Sequence, residues 1–532
     1  EKTTHHKHLH LAGEKSMSKG WNQVCFFLRL LLFLVNLAHF AVALNTFTRF
    51  HQESQTTSAS YFFTPYPQKN NYCKPICRKT PEYFFSKTAN MENEPTLKII
   101  SPSEVQKVEN DPVDPVAREQ AKEIIDDIKQ NGVEALKSTA VRLNDIKEED
   151  KDNFLMTPDQ LEKAFKNLPA DQQELLVRTA DRIKSFALAQ MGSLTVVETN
   201  IPGGKAGQFI DPVGCAGCYA PGGRYPLPSS VLMTAVTARA AGVPKVVVAS
   251  PRPQPITLGA AHVAGADLFL CIGGAQAIAA MAYGVGVPAC DIIVGPGNKW
   301  VTAAKSLVSG ICGIDMLAGP SEVLVIADDT ANPDTVAADL LAQAEHDVEA
   351  RGILVSTSDR IIEETNNKVQ ERLANLPTAA TAREAIKKSF AVKCADITEA
   401  VAVSDMVGPE HLEIQTENYQ EVAEKCKSYG GLFIGPRSAE ALGDYGAGPN
   451  HVLPTGGTAK YTGGLSVFTF LRIRTWMCIN EAMASQEIVQ DSIQLARLEG
   501  LEGHARSAEC RLVDDNVEPP VKKLKRQETE GL

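Results

Sequence analysis

The chain has no excess of positive charge. Its 53 Lys and Arg against 64 Asp and Glu over 532 residues give a formal net charge of −11. A surface of that sign repels phosphate, which argues against nucleic acid as a main partner. A disulfide framework is lacking too. The 12 cysteines are spread thinly from Cys25 to Cys510, which suits reduced thiols in an intracellular, reducing compartment. Cys215 and Cys218 form a C-x-x-C with no second pair, so a zinc ribbon is excluded and small residues in a buried strand are the better reading. No cysteine sits in a pattern expected of a nucleophile. There is no repeat at a solenoid period, and no G-x-G-x-x-G followed by a ribose-binding acid. What remains, 44% hydrophobic and 22% charged, is the composition of a soluble globular protein long enough for two or three domains.

The first ninety or so residues differ from the rest. The first methionine is Met17, so residues 1–16 need not be native, and Lys19 precedes the apolar run "VCFFLRLLLFLVNLAHFAVAL". Arg29, Asn36 and His39 interrupt that run, and it ends in the small-x-small Ala41-Val42-Ala43, so residues 1–43 read as a signal-like segment rather than a membrane anchor. Residues 44–92 are hydroxyl-rich and acid-poor, like a transit segment. Together they spell a plastid address, with no stable membrane association of the mature form. A start at Met91 and a cytoplasmic enzyme is the alternative. At the other end, "VKKLKRQ" reads as part of a solvated basic tail over 516–532.

Helical patterns fill 93–208. "DPVAREQAKEIIDDIKQNG" ends at an Asn-Gly breaker, and "TPDQLEKAFKNL" opens with a Thr cap and a Pro at the first helical position. From 209 to 436, apolar runs such as "KVVVAS", "DLFLCIGG", "DIIVGPGN", "EVLVIADD", "GILVSTS" and "HLEIQT" alternate with helical segments. Runs without polar alternation are strands covered on both faces, and strand–helix alternation means parallel sheets. The expectation is an α/β chain with two Rossmann-like parallel-sheet domains, 209–320 and 321–465. A mostly helical extension over 466–515 follows and docks elsewhere, including on a second subunit.

Three glycine turns, "YAPGGRYPLPSS", "CIGGAQA" and "VGPGNKW", each follow a strand and precede a helix. Strand ends of a parallel sheet share one edge, so these turns can line a dinucleotide crevice. The histidines of the body fall into two kinds. His262 in "GAAHVAGA" has no polar company and reads as an ordinary helix residue, whereas His346, His411, His451 and His504 sit in "QAEH", "GPEH", "GDYGAGPNH" and "LEGH". In "DLLAQAEH", Gln343 and His346 share a helical face with Asp339 one turn below. By itself that is either a solvated face or a pair of metal ligands. In "GPEH", Glu410 and His411 open a strand and point apart, which fits either two separate proton transfers or a buried structural pair.

Taken together, "GPSEVLVIAD", "DLLAQAEH", "GPEHLEIQT" and "GPNHVLPT", in that order, resemble histidinol dehydrogenases from roughly residue 95 to 512. The resemblance implies oxidation of L-histidinol to L-histidine through the aldehyde with two NAD, the last step of histidine biosynthesis. It implies one zinc per subunit and a homodimer with shared active sites. Carried over by motif, the zinc ligands, which also touch substrate, are Gln343, His346, Asp444 and His504, the last from the partner subunit. Glu410 and His411 match the catalytic pair, His411 also touching substrate. Ser321, His451 and Glu499 match substrate contacts, while Tyr219, Gln276 and Asn298 match NAD contacts. "AEHD" replaces the usual "AEHG", Ala342 stands where Ser is common, and "YTGGLSVFTFLRIRTWM" departs from the family pattern. These departures keep open a zinc- and NAD-dependent dehydrogenase of another small alcohol or sulfonated diol. A zinc hydrolase and a silent metal-binding homologue are the readings from other classes.

Overall fold

Apolar strands that lack polar alternation do pair here into two parallel sheets, each covered on both faces. The structure, a computed structural model, describes residues 94–105, 112–222 and 226–513. These belong to one compact unit, Lys87–Leu532. The signal-like and transit-like segments and the basic tail lie outside the described residues.

The first sheet runs, in spatial order, Leu155–Met156, Leu268–Leu270, Lys245–Ala249, Cys215–Tyr219, Ile292–Val294, Gly313–Ile314. All its pairs are parallel except that of Leu155–Met156 with Leu268–Leu270. The second runs Lys98–Ile100, Phe390–Lys393, Arg351–Ser356, Glu322–Ala327, His411–Gln415, Gly431–Ile434, parallel throughout. In both, the chain starts at a central strand, moves outward to one side, then crosses to the other, which is the doubly wound order. The segment before 209 therefore contributes more than helices, since it lends an edge strand to each sheet.

Alternate residues of one strand serve opposite cores. Val323 and Val325 pack with Leu340, whereas Leu324 and Ile326 pack with Val403 and Val407. In the first sheet, Ala216 and Cys218 meet Val231 and Leu232 while Cys215 and Tyr219 meet Ile278 and Val301. This double burial explains the unbroken apolar runs, and it makes both cysteines of the C-x-x-C strand residues.

The cap signals hold. Thr157 forms a capping box with Gln160 ahead of the helix Pro158–Lys166. Gly132, at φ 64°, breaks the helical stretch Pro115–Arg142 where Asn-Gly was read as a stop. His262 lies on the helix Pro255–Val263, its ring 5.1 Å from that of Phe165.

Residues 466–512 are a correction. Leu471–Ile479 is a nine-residue strand, not helix, pairing antiparallel with Gly204–Pro212, which pairs in turn with Glu198–Ile201. Its alternation of Leu471, Ile473, Thr475 and Met477 with Arg472, Arg474 and Trp476 is a period of two, the strand signal. Only then do the helices Gln486–Leu498 and Glu502–Glu509 follow.

Candidate functional site

The two sheets are joined by a link of seven residues, Asp315 to Ser321, between the strands Gly313–Ile314 and Glu322–Ala327. A trans chain spans at most about 3.5 Å per residue, so the carboxyl edge of the first sheet is tied close to the amino edge of the second. The link is pinned along its length. Thr302 Oγ1 donates to the Ala318 carbonyl at 3.0 Å, the Gly319 amide donates to Thr455 Oγ1 at 2.6 Å, and Asp315 Oδ2 accepts from the Gly295 amide at 2.7 Å. The usual crevice outside the carboxyl ends of strands thus exists for the first sheet. The acid–base groups of the second gather where its strands begin.

Topology brings them there. The helix Pro333–Ala344 follows one strand and returns to the start of the next, so its carboxyl end reaches the edge where His411 opens its own strand. His346 lies just past that helix end, its backbone amide donating to the Gln343 carbonyl at 3.3 Å. The buried His411 ring has Nδ1 3.2 Å from Gln343 Oε1 and 3.3 Å from the Glu322 carbonyl. Both are acceptors, so Nδ1 carries the hydrogen and Nε2 faces Asp444 Oδ1 at 3.6 Å. His346 Nε2 is 3.9 Å from Asp444 Oδ2. His451 Nδ1 donates to the Asp444 carbonyl at 3.0 Å and its Nε2 lies 3.5 Å from Ser230 Oγ.

Two carboxylates that sequence reasoning passed over complete this group. Glu440 is four residues before Asp444 on the short helix Glu440–Asp444, and its buried Oε2 lies 3.9 Å from His411 Nδ1. The E-x-x-x-D spacing is the signal that could have found it. Glu322 is buried at the head of an otherwise apolar strand. Its amide donates to Glu410 Oε2 at 3.0 Å, and its own Oε1 accepts from the Gly456 amide at 2.9 Å. Donor atoms of His346, Glu440 and Asp444 lie within 4.8 Å of one another. His411 Nε2, Glu440 Oε2 and Gln343 Nε2 are buried with no hydrogen-bond partner among the described residues. Imidazole and carboxylate donors in a group that is part buried, part open at His346, and partly unpaired suit zinc.

Electrostatics here are dominated by burial of acids. Burial pushes the Glu410 carboxyl up to about 7 and holds Glu440 well above the carboxylate range. Burial also disfavours the His411 imidazolium, but Glu440, Glu410 and Asp444 outweigh it and push the ring up to about 10. For Asp444, burial is overcome by His411, His451 and His346, which bring it below the usual range. Burial lowers His451, against the opposing pull of Asp444.

The predicted dinucleotide contacts lie along the carboxyl edge of the first sheet. Tyr219 ends its strand, and its hydroxyl accepts from the Gly274 amide at 3.1 Å. Gln276 is buried in the first turn of the helix Gly274–Tyr283. Asn298 caps the helix Lys299–Val308, its Oδ1 accepting from Trp300 and Val301, so its amide NH₂ remains for other partners. Gly295, at φ 118°, leaves no room for a side chain, since a Cβ would lie 2.0 Å from the Tyr219 carbonyl oxygen. Ser321 immediately precedes the strand Glu322–Ala327, half-buried. Glu499 and His504 are not gathered here within one chain. Both are exposed on the terminal pair of helices, and His504 is not among the clustered metal donors.

Comparison with known proteins agrees with this arrangement. The family model described as histidinol dehydrogenase matches residues 108–512. The histidinol dehydrogenase of Thermus thermophilus is 42% identical over 401 residues, covering 75% of this chain and 95% of that protein. That of Methanothermobacter thermautotrophicus is 41% identical over 399 residues, covering 74% and 92%. Among solved structures, histidinol dehydrogenase from Elizabethkingia anophelis superposes with a TM-score of 0.71 at 31% identity, covering 78% of this chain and 98% of that one.

Proposed function

The chain belongs to the histidinol dehydrogenase family, and on that premise we propose how its buried groups divide the work. It is an NAD-dependent oxidoreductase acting on the alcohol group of histidinol. The identities above favour histidinol over another small alcohol or a sulfonated diol. The observation that carries the division of labour is the buried Glu410–His411 pair beside the donor group of His346, Glu440 and Asp444.

Gln343, His346, Asp444 and His504 of the partner subunit would hold one zinc per subunit, and the ion would supply a Lewis-acid anchor that fixes the substrate. Ser321, His451 and Glu499 of the partner subunit contact the substrate, and Tyr219, Gln276 and Asn298 contact NAD. Once a cation offsets Glu440 and Asp444, the carboxylates that raise its basicity, the neutral His411 ring accepts the hydroxyl proton as the first hydride passes to NAD. Glu410 takes a proton from water as it adds to the aldehyde carbon, giving a hydrate. The aldehyde oxygen regains the proton from His411, which then takes a hydroxyl proton of the hydrate as the second hydride passes to a second NAD, and the acid ionises to the carboxylate of histidine.

The second subunit is supported by the apolar surface around the tail. Met477, Met483, Leu495 and Leu498 are all exposed, Leu498 at 84%. Such a surface calls for a partner, and the ligand-type His504 lies beside it. The working compartment is a plastid, as the composition of residues 1–92 suggests. The reaction itself is tested by following NADH with histidinol and NAD, where two NADH per histidinol are expected. One NADH, or none, would overturn the two-step reading.

A further inference from the structure

Asp145 is absent from every role given above, yet it sits among the dinucleotide contacts. It lies just past the helical stretch Pro115–Arg142 and is half-buried. One oxygen, Oδ2, accepts two hydrogen bonds, from the Gly273 amide at 3.0 Å and from Gln276 Nε2 at 2.6 Å. Among the described residues, the non-glycine residues with positive φ are Asn144 at 58° and Arg252 at 45°. Asn144 adjoins Asp145, and the Arg252 charge acts on the Asp145 carboxylate. Arginine rarely adopts that conformation, and such outliers gather where a site over-determines the backbone. Pro251 packs against the same turn, since a Cβ on Gly273 would lie 2.6 Å from its ring.

Two consequences follow from donor–acceptor chemistry. At the amino end of the helix Gly274–Tyr283 two amides are already taken by the protein, Gly273 by Asp145 and Gly274 by Tyr219. The "CIGGAQA" turn therefore offers fewer free amides to a pyrophosphate than its sequence allowed. Second, a carboxylate only accepts, so Asp145 can bind only the NH₂ side of the Gln276 amide. Oε1 of Gln276 then faces the other way, and it is buried with no hydrogen-bond partner among the described residues.

We propose that Asp145 is a positioning residue for the dinucleotide: it takes the Gln276 NH₂, so that the buried oxygen beside Gly274 is the atom left to accept from a hydroxyl or amide donor of NAD. Without that hold the amide can turn over and present NH₂ to a donor, which loses the bond. This rests on the NAD reading of the crevice.

The test compares Asp145→Ala, Asp145→Asn, Gln276→Ala and the double variant Asp145→Ala with Gln276→Ala, reading KM for NAD and for histidinol and the Kd of NAD by calorimetry; the loss is expected of Asp145→Ala. Loss of one oriented hydrogen bond should weaken NAD binding and raise KM for NAD on the order of 10-fold. KM for histidinol and zinc content should keep their unaltered values. If Asp145 acts through Gln276, the double variant should be no weaker toward NAD than Gln276→Ala alone. Asp145→Asn keeps one oxygen that can accept from both donors and should largely restore NAD binding, and thermal unfolding of each variant reports whether the fold survives. NAD binding unchanged in Asp145→Ala, an equal rise in both KM values, or additive losses in the double variant would each overturn the proposal. Absence of NADH from the unaltered enzyme would overturn the functional reading and this inference with it.

Discussion

Glu440 and Asp444 stand one helical turn apart and bracket a single imidazole: one carboxylate is 3.9 Å from Nδ1 of His411, the other 3.6 Å from Nε2. Asp444 also faces His346, whereas Glu440 contributes an unpaired buried oxygen to the same group. A cation among them would relieve the repulsion of several buried acids. Removing the Glu440 charge with Glu440→Gln should therefore weaken zinc about 10- to 100-fold, the scale of groups that support metal ligands. Asp444→Asn should cost more. Chelator competition on purified protein measures both, and a Glu440→Gln variant with unaltered zinc affinity would remove Glu440 from the metal group.

The raised acidity constant of Glu410 gives a signed pH dependence. With the carboxyl pushed up to about 7 by burial, the group is a neutral acid below that pH and a base above it. Oxidation of the aldehyde should rise through pH about 7, and that limb should vanish in Glu410→Gln. Loss of a positioned acid–base group costs on the order of 10²- to 10⁴-fold. His411→Asn should slow both oxidations, and Glu410→Gln chiefly the second. Equal slowing of both by Glu410→Gln would undo the division of labour. The same shift lowers stability as pH climbs from the usual carboxylate range toward 7, because the unfolded chain releases that proton first.

Lys305 and Asp315 form a buried ion pair, the two side chains only 3% and 1% exposed. Lys305 Nζ also donates to the Gly295 carbonyl at 3.1 Å, and Asp315 accepts from the Gly295 and Met316 amides. The pair thus clamps the glycine turn to the start of the inter-sheet link. Lys305→Met leaves a buried carboxylate unpaired, and such breaks cost about 3–5 kcal/mol. Urea unfolding should show a loss of that size. A loss below about 1 kcal/mol, the scale of an exposed pair, would mean that the clamp carries no load.

Much of this was legible because covered parallel strands announce themselves. Runs such as "EVLVIAD" have no other stable home, and the Thr157 capping box and the Gly132 break obey local rules that packing does not override. The strand Leu471–Ile479 was missed because its period of two is short and lies beside strongly helical sequence. Glu322 and Glu440 were missed for a different reason. Neither belongs to a dense polar motif, and each gains its role only when the fold sets it against Glu410 or His411. Asp145 is 128 residues from the glycine turn it grips, a distance that no local pattern bridges.

The plastid address is testable apart from the enzyme. Residues 17–95 fused to a fluorescent protein should reach a plastid. Deletion of 17–43 should then leave the fusion in the cytosol, because entry to the secretory route is lost. Secretion of the full fusion, or a cytosolic signal from a start at Met91, would count against it.

The proposal of shared active sites makes the sharpest demand on the assembly. His504 is exposed on the helix Glu502–Glu509, in the tail beyond both parallel sheets. If it completes the zinc site of the other subunit, His504→Ala and His411→Ala chains are each inactive alone, yet complementary. A mixed dimer pairs the intact His411 body of one chain with the intact His504 tail of the other, restoring one site of two. After random reassortment about half of the dimers are mixed, so recovered activity should approach about a quarter of that of the unaltered enzyme. Bound zinc should stay level on mixing, because His411→Ala dimers start with both ligand sets complete and each mixed dimer keeps one. Mixed dimers isolated by two affinity tags and still inactive would place His504 outside the site.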